Sequence, residues 1–217
     1  MNEIKIIEKP EWISWDDIHQ LLLEAHKDNI AKGLVSLYPQ LPGEKIKEKL
    51  GEEGRCWVAL DGDKLVGTHS VTFFKGKKWW NKGKSVAHGC FTGILKEYQG
   101  IGILDELHER YHEYVSAKGI DMTEGDTAEN NRIMRKVLKK KGYKTVEFFA
   151  PPSDHYSVRI VRWYNGCPFT DEYIDRRFKI SEKLTRWRYK PGKEERSVII
   201  SFFCRAANYL TKKYYRD

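Results

Sequence analysis

The chain has no apolar run long enough to cross a bilayer, so no membrane-spanning helix is expected. Its first residues, Met-Asn-Glu-Ile-Lys-Ile-Ile, hold neither an apolar leader nor a small-residue cleavage site. Cysteine is sparse. Cys56, Cys90, Cys167 and Cys204 lie far apart and form no C-x-x-C pair. That argues against a disulfide framework or a zinc site, and for reduced thiols in the cytoplasm. Internal repeats, low-complexity tracts and known nucleic-acid motifs are also missing.

What is present is an excess of positive charge with an uneven distribution. The formal net charge is +8 over 217 residues. Residues 1–150 carry 24 Lys/Arg against 23 Asp/Glu, whereas 151–217 carry 15 against 8 and hold 13 of the 28 aromatic residues. The pattern predicts a balanced globular domain over 1–150 and a basic, aromatic extension over 151–217 that completes it or packs on it.

Local patterns order the first part. Ser14-Trp15-Asp16-Asp17 is a helix start with Ser as cap and acids in the first turn, and Ile18, Leu21, Leu22 and Ala25 form a helical stripe. Asp61-Gly62-Asp63 is a hairpin turn between apolar runs. Residues 85–95 read as a strand, 104–117 as an amphipathic helix, 120–123 as a short strand, 130–141 as a helix ended by Gly142, and 143–149 as a further strand. Pro151-Pro152 marks a boundary, 156–163 alternates as a strand, 176–189 is basic and of undecided form, and 197–215 reads as a terminal helix. The order is that of a mixed α/β domain rather than a doubly wound one.

Between the 85–95 strand and the next helix lies Gln99-Gly100-Ile101-Gly102-Ile103-Leu104. A strand, a glycine turn and a helix start in that order make an anion cradle. Unpaired N–H groups and the helix dipole favour negative charge, and glycine lets a diphosphate approach the backbone. Thr92-Gly93-Ile94-Leu95-Lys96-Glu97-Tyr98 leads into it, and Asn130-Asn131-Arg132-Ile133-Met134 with Lys140-Lys141-Gly142-Tyr143 follows about one helix later. Leu65-Val66-Gly67 precedes it on the hairpin. These motifs, in this order over 1–150, resemble the GCN5-related N-acetyltransferase (GNAT) family.

The resemblance implies a mixed-sheet acyl-CoA N-acyltransferase fold and an acetyltransferase with acetyl-CoA as co-substrate. It implies that Ile94 and Leu95 present strand backbone to the pantetheine arm. Gln99, Gly100, Ile101, Gly102, Ile103 and Leu104 would then hold the diphosphate, and Asn131 would meet the cofactor near the thioester. Lys96 stands where Pro is common, Leu104 where a small residue is usual, and Leu138 where many members carry a Tyr that protonates the departing thiolate.

Acetyl transfer to an amine needs a proton acceptor. On alternation His88, Cys90, Thr92 and Ile94 share one face of their strand, making His88 a candidate base, or else a core or rim histidine that only makes a hydrogen bond. Glu124 and Asp126 are candidate bases, anchors for a cationic amine, or members of a solvated turn. Cys90 reads as an inert buried thiol, and His108 and His112, four apart without further ligands, as a solvent-facing pair that holds no metal. Trp79 and Trp80 either line the acceptor entrance or pin a loop, and His26, Asn29 and Tyr38 sit where first helices of such a fold cover the acceptor.

The expected function is direct acetyl transfer from acetyl-CoA to the amine of a small-molecule acceptor, an amino sugar or nucleotide-linked sugar among the options. The rivals are a non-catalytic acyl-CoA-binding module, or an interaction protein whose basic end meets a membrane or nucleic acid. For the extension itself the readings are packing on the domain, a wall for an anionic acceptor, and peripheral membrane contact.

Overall fold

The computed structural model describes residues 3–32, 41–150 and 156–189. Tyr38, Pro151-Pro152, Cys204 and the helix expected over 197–215 lie outside the described residues. The chain divides into two units, residues 1–126 with 161–168, and 127–160 with 169–217.

In the first unit strands β1 (Ile4–Glu8), β2 (Arg55–Asp61), β3 (Lys64–Lys75) and β4 (Ser85–Ile94) run antiparallel in that order. The start of β5 (Met122–Ala128) then pairs parallel to β4. Helices α1 (Trp15–Ala25), α2 (Lys27–Ala31) and α3 (Gly43–Leu50) precede β2, and α4 (Ile103–Ala117) links β4 to β5. Ser14 caps α1 as its sequence predicts: the Asp17 N–H donates to Ser14 Oγ at 3.0 Å and the Ser14 N–H donates to Asp17 Oδ2 at 2.7 Å.

Both sheet faces are covered, so β2 is apolar at consecutive positions. Cys56, Val58 and Leu60 pack with Ile18, Leu22, Ile46 and Leu50 on the face of α1 and α3. Trp57, Ala59, Val66 and Val71 pack with Leu107, Tyr111 and Val115 on the face of α4. The β2–β3 turn passes through Gly62 at φ +60°, a left-handed conformation that glycine adopts without strain.

One expectation about β4 is corrected. Thr68 pairs with Gly93 but Ser70 pairs with Cys90, so β4 carries one extra residue, and Phe91 lies at φ +48°. The bulge resets the alternation. Cys90 and Phe91 both pack toward α1 and α3, whereas Thr92 reaches His69 and Ile94 joins the α4-side cluster. His88, Cys90, Thr92 and Ile94 therefore do not share a face.

In the second unit β6 (Lys144–Phe149) neighbours β7 (Ser157–Trp163), whose last residues belong to the first unit. Helices α5 (Arg132–Lys140) and α6 (Asp171–Arg188) complete it. Leu138, Tyr143, Phe148, Tyr156, Val158 and Ile160 form its core. The stretch 176–189, undecided from sequence, is the body of α6. Thr170 caps that helix by accepting from the Tyr173 N–H at 3.2 Å, and Asp171 and Glu172 complement its first turn. Along α6 the Phe148 N–H donates to Ser181 Oγ and the Thr185 hydroxyl donates to the Phe148 carbonyl, each at 3.0 Å. The Arg186 guanidinium lies over Phe148 and Tyr156, 4.6 and 4.9 Å from their centroids, and pairs with Glu129 and Glu182.

Leu107 is fully buried under the sheet. Leu107→Ala is expected to lower unfolding free energy by about 3 kcal/mol, read as a lower urea midpoint at unchanged m-value.

Candidate active site

Two constructions meet the chemistry that the sequence suggests, and both are in the first unit. The first is the glycine turn after β4. Gly100 and Gly102 take φ +83° and +95°, where a side chain would be strained. Gly102 is the N-cap of α4 and supplies no side-chain cap. Ile103 is buried in the α4-side core and fixes the helix start against Gly67, where a Cβ would meet it at 3.3 Å. Among the described residues none accepts from the N–H groups of Gly100, Ile101, Gly102, Ile103 and Leu104. Gln99, Gly100, Ile101 and Gly102 are exposed and Leu104 is half-buried. This is a cluster of backbone donors on a helix N-terminus, fitted to an anion. The Leu95 N–H donates to the Val66 carbonyl at 3.0 Å, its own carbonyl accepts from Tyr98 at 2.9 Å, and Gln99 Nε2 donates to the Ile94 carbonyl at 3.0 Å. An open cavity of about 420 Å³ runs from Gly102 along α4, but Asp105, Glu106, Glu109 and Glu113 outweigh Arg110 in its lining, which does not suit a phosphate.

The second construction is where β4 and β5 part. Asp121 holds their first ends together, accepting from the Ser85 N–H at 2.7 Å and from the Ser85 hydroxyl at 2.8 Å; those bonds hold its carboxyl below the usual range. Pairing runs Val86 with Met122, Ala87 with Thr123 and His88 with Glu124, and goes no further. At this last pair the Glu124 carboxylate is only 4% exposed. Its Oε2 accepts from Trp80 Nε1 at 3.2 Å and from Asn81 Nδ2 at 3.0 Å, and its Oε1 lies 3.6 Å from His88 Nδ1. Glu124 is therefore no member of a solvated turn. Asp126, two residues on, is exposed.

The loop before β4 is folded around this carboxylate. Trp80 and Asn81 are buried, and the Trp80 carbonyl accepts from Trp163 Nε1 at 3.2 Å. Trp79 is half-buried and meets Trp80 edge-on at 5.6 Å. Gly76 is required there, since a Cβ would fall 1.8 Å from the Asn81 carbonyl oxygen.

Residues 15–143, more than half of the chain, match the Acetyltransferase (GNAT) family. The chain belongs to the GNAT family. Solved structures share its fold. An acetyltransferase from Streptococcus agalactiae 2603 matches at a TM-score of 0.57 and 18% identity, over 75% of this chain and 99% of its own. A Bacillus subtilis acetyltransferase in complex with CoA matches at 0.53 and 16%, over 74% and 99%. Arabidopsis thaliana NAA60 in complex with acetyl-CoA matches at 0.58 and 13%, over 76% and 100%. No curated protein matches. This GNAT member is an acyl-CoA-dependent N-acetyltransferase with acetyl-CoA as co-substrate.

The residues present fit that substrate: the free donors of 100–104 match a diphosphate, and the glycines leave room for it. Asn131 belongs to the second unit, where its Oδ1 accepts from the Met134 N–H at 3.1 Å and caps α5. Leu138 is buried in the second unit's core and offers no proton to a leaving thiolate. Cys90 is half-buried rather than buried, and its surroundings push its thiol above the ordinary range, which disfavours the thiolate.

The solvent-facing histidine pair is a correction. His108 is buried and His112 half-buried, the latter bonded through Nδ1 to the Tyr164 hydroxyl at 2.6 Å. His108 instead packs edge-on against His69 at 4.9 Å. His69 escaped sequence reasoning; its only signal is a basic residue inside the apolar run of β3.

His69 and His26 are both held below the ordinary histidine pKa. For His69 burial is the main cause, followed by the neighbouring His108, His112 and His88. For His26 burial outweighs its bond to the Thr92 carbonyl. A lowered folded-state pKa means the unfolded chain binds more protons. Stability is then full above the unfolded value of about 6.5 and is lost as pH falls toward the folded value. Thermal unfolding is expected at lower temperature at pH 5.5 than at pH 7.5, with a smaller difference in His69→Asn. For the cradle, Gly102→Val, a β-branched residue at φ +95°, is expected to weaken CoA at least tenfold by calorimetry while leaving the fold intact by circular dichroism.

Proposed function

We propose that the acetyl group passes directly from acetyl-CoA to the primary amine of a small cationic molecule, with Glu124 as the proton acceptor. The observation that carries this reading is a carboxylate 4% exposed at the point where β4 and β5 stop pairing. A buried carboxylate is costly without compensation, and two donors, Trp80 and Asn81, compensate it, with the His88 ring 3.6 Å away. Such a group attracts an ammonium ion and, once the amine is seated, can take its proton directly or through His88. Half-buried Trp79 and exposed Phe74, whose ring lies 6.5 Å from that of His88, add aromatic surface suited to a cation.

In this reading the deprotonated amine attacks the thioester carbonyl and forms the new C–N bond. The oxyanion is met by a backbone N–H of β4 near its bulge. Collapse breaks the C–S bond while the new amide nitrogen gives up its extra proton to water, and the departing thiolate takes a proton from water, because Leu138 stands at the position of the usual acid. No covalent enzyme intermediate is formed; the raised pKa of the Cys90 thiol, which disfavours the thiolate, agrees with that. Free amino sugars are the acceptors to try first, and the cytoplasm is the compartment we assign.

The test is thiol release from acetyl-CoA over a panel of amino sugars, polyamines, amino acids and peptides. In Glu124→Gln the amide oxygen still accepts from Trp80 and Asn81 while the charge is lost. Its kcat is expected to fall by about 10² to 10⁴ and the acidic limb of the pH profile to disappear. Tight acetyl-CoA binding with no turnover over the whole panel would overturn the small-amine acceptor reading.

A further inference from the structure

The bulge of β4 is gripped from both sides of the sheet. His26, at the junction of α1 and α2, bonds through Nε2 to the Thr92 carbonyl at 2.7 Å. His69, on β3, bonds through Nδ1 to the Thr92 hydroxyl at 2.7 Å. The rings reach Thr92 because β4 carries glycines beside it. A Cβ at Gly93 would meet α1 at Leu22 and Ala25, at 3.1 and 3.2 Å, and His26 Nε2 at 3.7 Å. A Cβ at Gly89 would lie 3.1 Å from His69 Cε1. His69 is 3% exposed, and its Nε2 is buried without a hydrogen-bond partner. Its ring is fixed edge-on by His108 and by Tyr111, both at 4.9 Å. The Tyr111 hydroxyl in turn touches Thr123 of β5 and donates to the Ala87 carbonyl of β4 at 3.4 Å. A chain of hydrogen bonds and ring contacts thus runs from the bulge, through β3 and α4, to the strand that bears Glu124.

A residue held at φ +48° relaxes unless its surroundings over-determine it. We infer that His26 and His69 are positioning residues: by bonding Thr92 from opposite faces they fix the bulge of β4 and with it the backbone N–H groups aimed at the thioester carbonyl. The catalytic half of this statement rests on the oxyanion role given to β4 above. The mechanical half does not.

Two readouts separate the halves. The first is hydrogen exchange of the peptide covering 91–94 in the full chain without ligand, with β2 as internal reference. His26→Leu, His69→Leu and the near-isosteric Thr92→Val each remove one bond, and exchange there is expected to rise about five- to tenfold with β2 unchanged. His26→Gln keeps a donor at the Nε2 position and His69→Asn one at the Nδ1 position, so these should stay near wild type. Thr92→Val added to His69→Leu should produce no further rise. The second readout is the infrared carbonyl stretch of [1-¹³C]acetyl-CoA. It should shift to lower frequency on binding wild type, and the shift should shrink in the Leu variants while CoA affinity changes less than twofold. Unchanged exchange at 91–94 in all three bond-removing variants overturns the inference, as does faster exchange that the conservative variants share. Faster exchange with an undiminished carbonyl shift overturns the catalytic half. No shift in wild type overturns the oxyanion reading instead and leaves the clamp standing on the exchange result.

Discussion

A strand alternates its side chains with a period of two, and β4 has to serve more demands than that period allows. Up to Cys90 it must pair with β3 and share a core with α1 and α3; by Ile94 it must deliver the chain to the glycine turn with its apolar residue toward α4. One extra residue reconciles these. With strict alternation over the same residues Ile94 would share the face of Cys90 and point toward α1. The left-handed Phe91, the two glycines and the two histidines around Thr92 all accommodate the extra residue.

The second constraint is electrostatic. A carboxylate taken almost wholly out of water needs fixed dipoles, and the loop between β3 and β4 supplies them with an indole and an amide. Those donors are themselves anchored, Asn81 by donation from the Lys78 N–H at 2.8 Å to its Oδ1 and Trp80 by Trp163. Trp80 thus pins this loop, and through it sets the surroundings of the candidate base.

Features encoded in a few adjacent residues were legible from sequence. The Ser14/Asp17 cap, the Gly62 turn and the donor cluster of 100–104 each follow from local chemistry and appear where expected. Features set by partners distant in the chain were not. The bulge needs the register with β3. The burial of Glu124 needs Trp80 and Asn81, more than forty residues earlier. His69 looks like a misplaced polar residue until Thr92 and His108 are beside it. Helix α6 is a different case: its cap and acidic first turn were readable, but basic residues spread over most of its surface hid the narrow apolar stripe of Ile174 and Phe178.

The two hydroxyls of α6 at Phe148 have a consequence beyond holding a helix to a strand. A strand that shows its N–H and C=O groups to solvent is a template on which another chain can add a strand of its own. At Phe148 both groups are already spent on Ser181 and Thr185. Any incoming strand would have to displace a packed helix before its ladder could pass that residue. The unit therefore carries its own block against edge-to-edge self-association, built from a Ser and a Thr four residues apart.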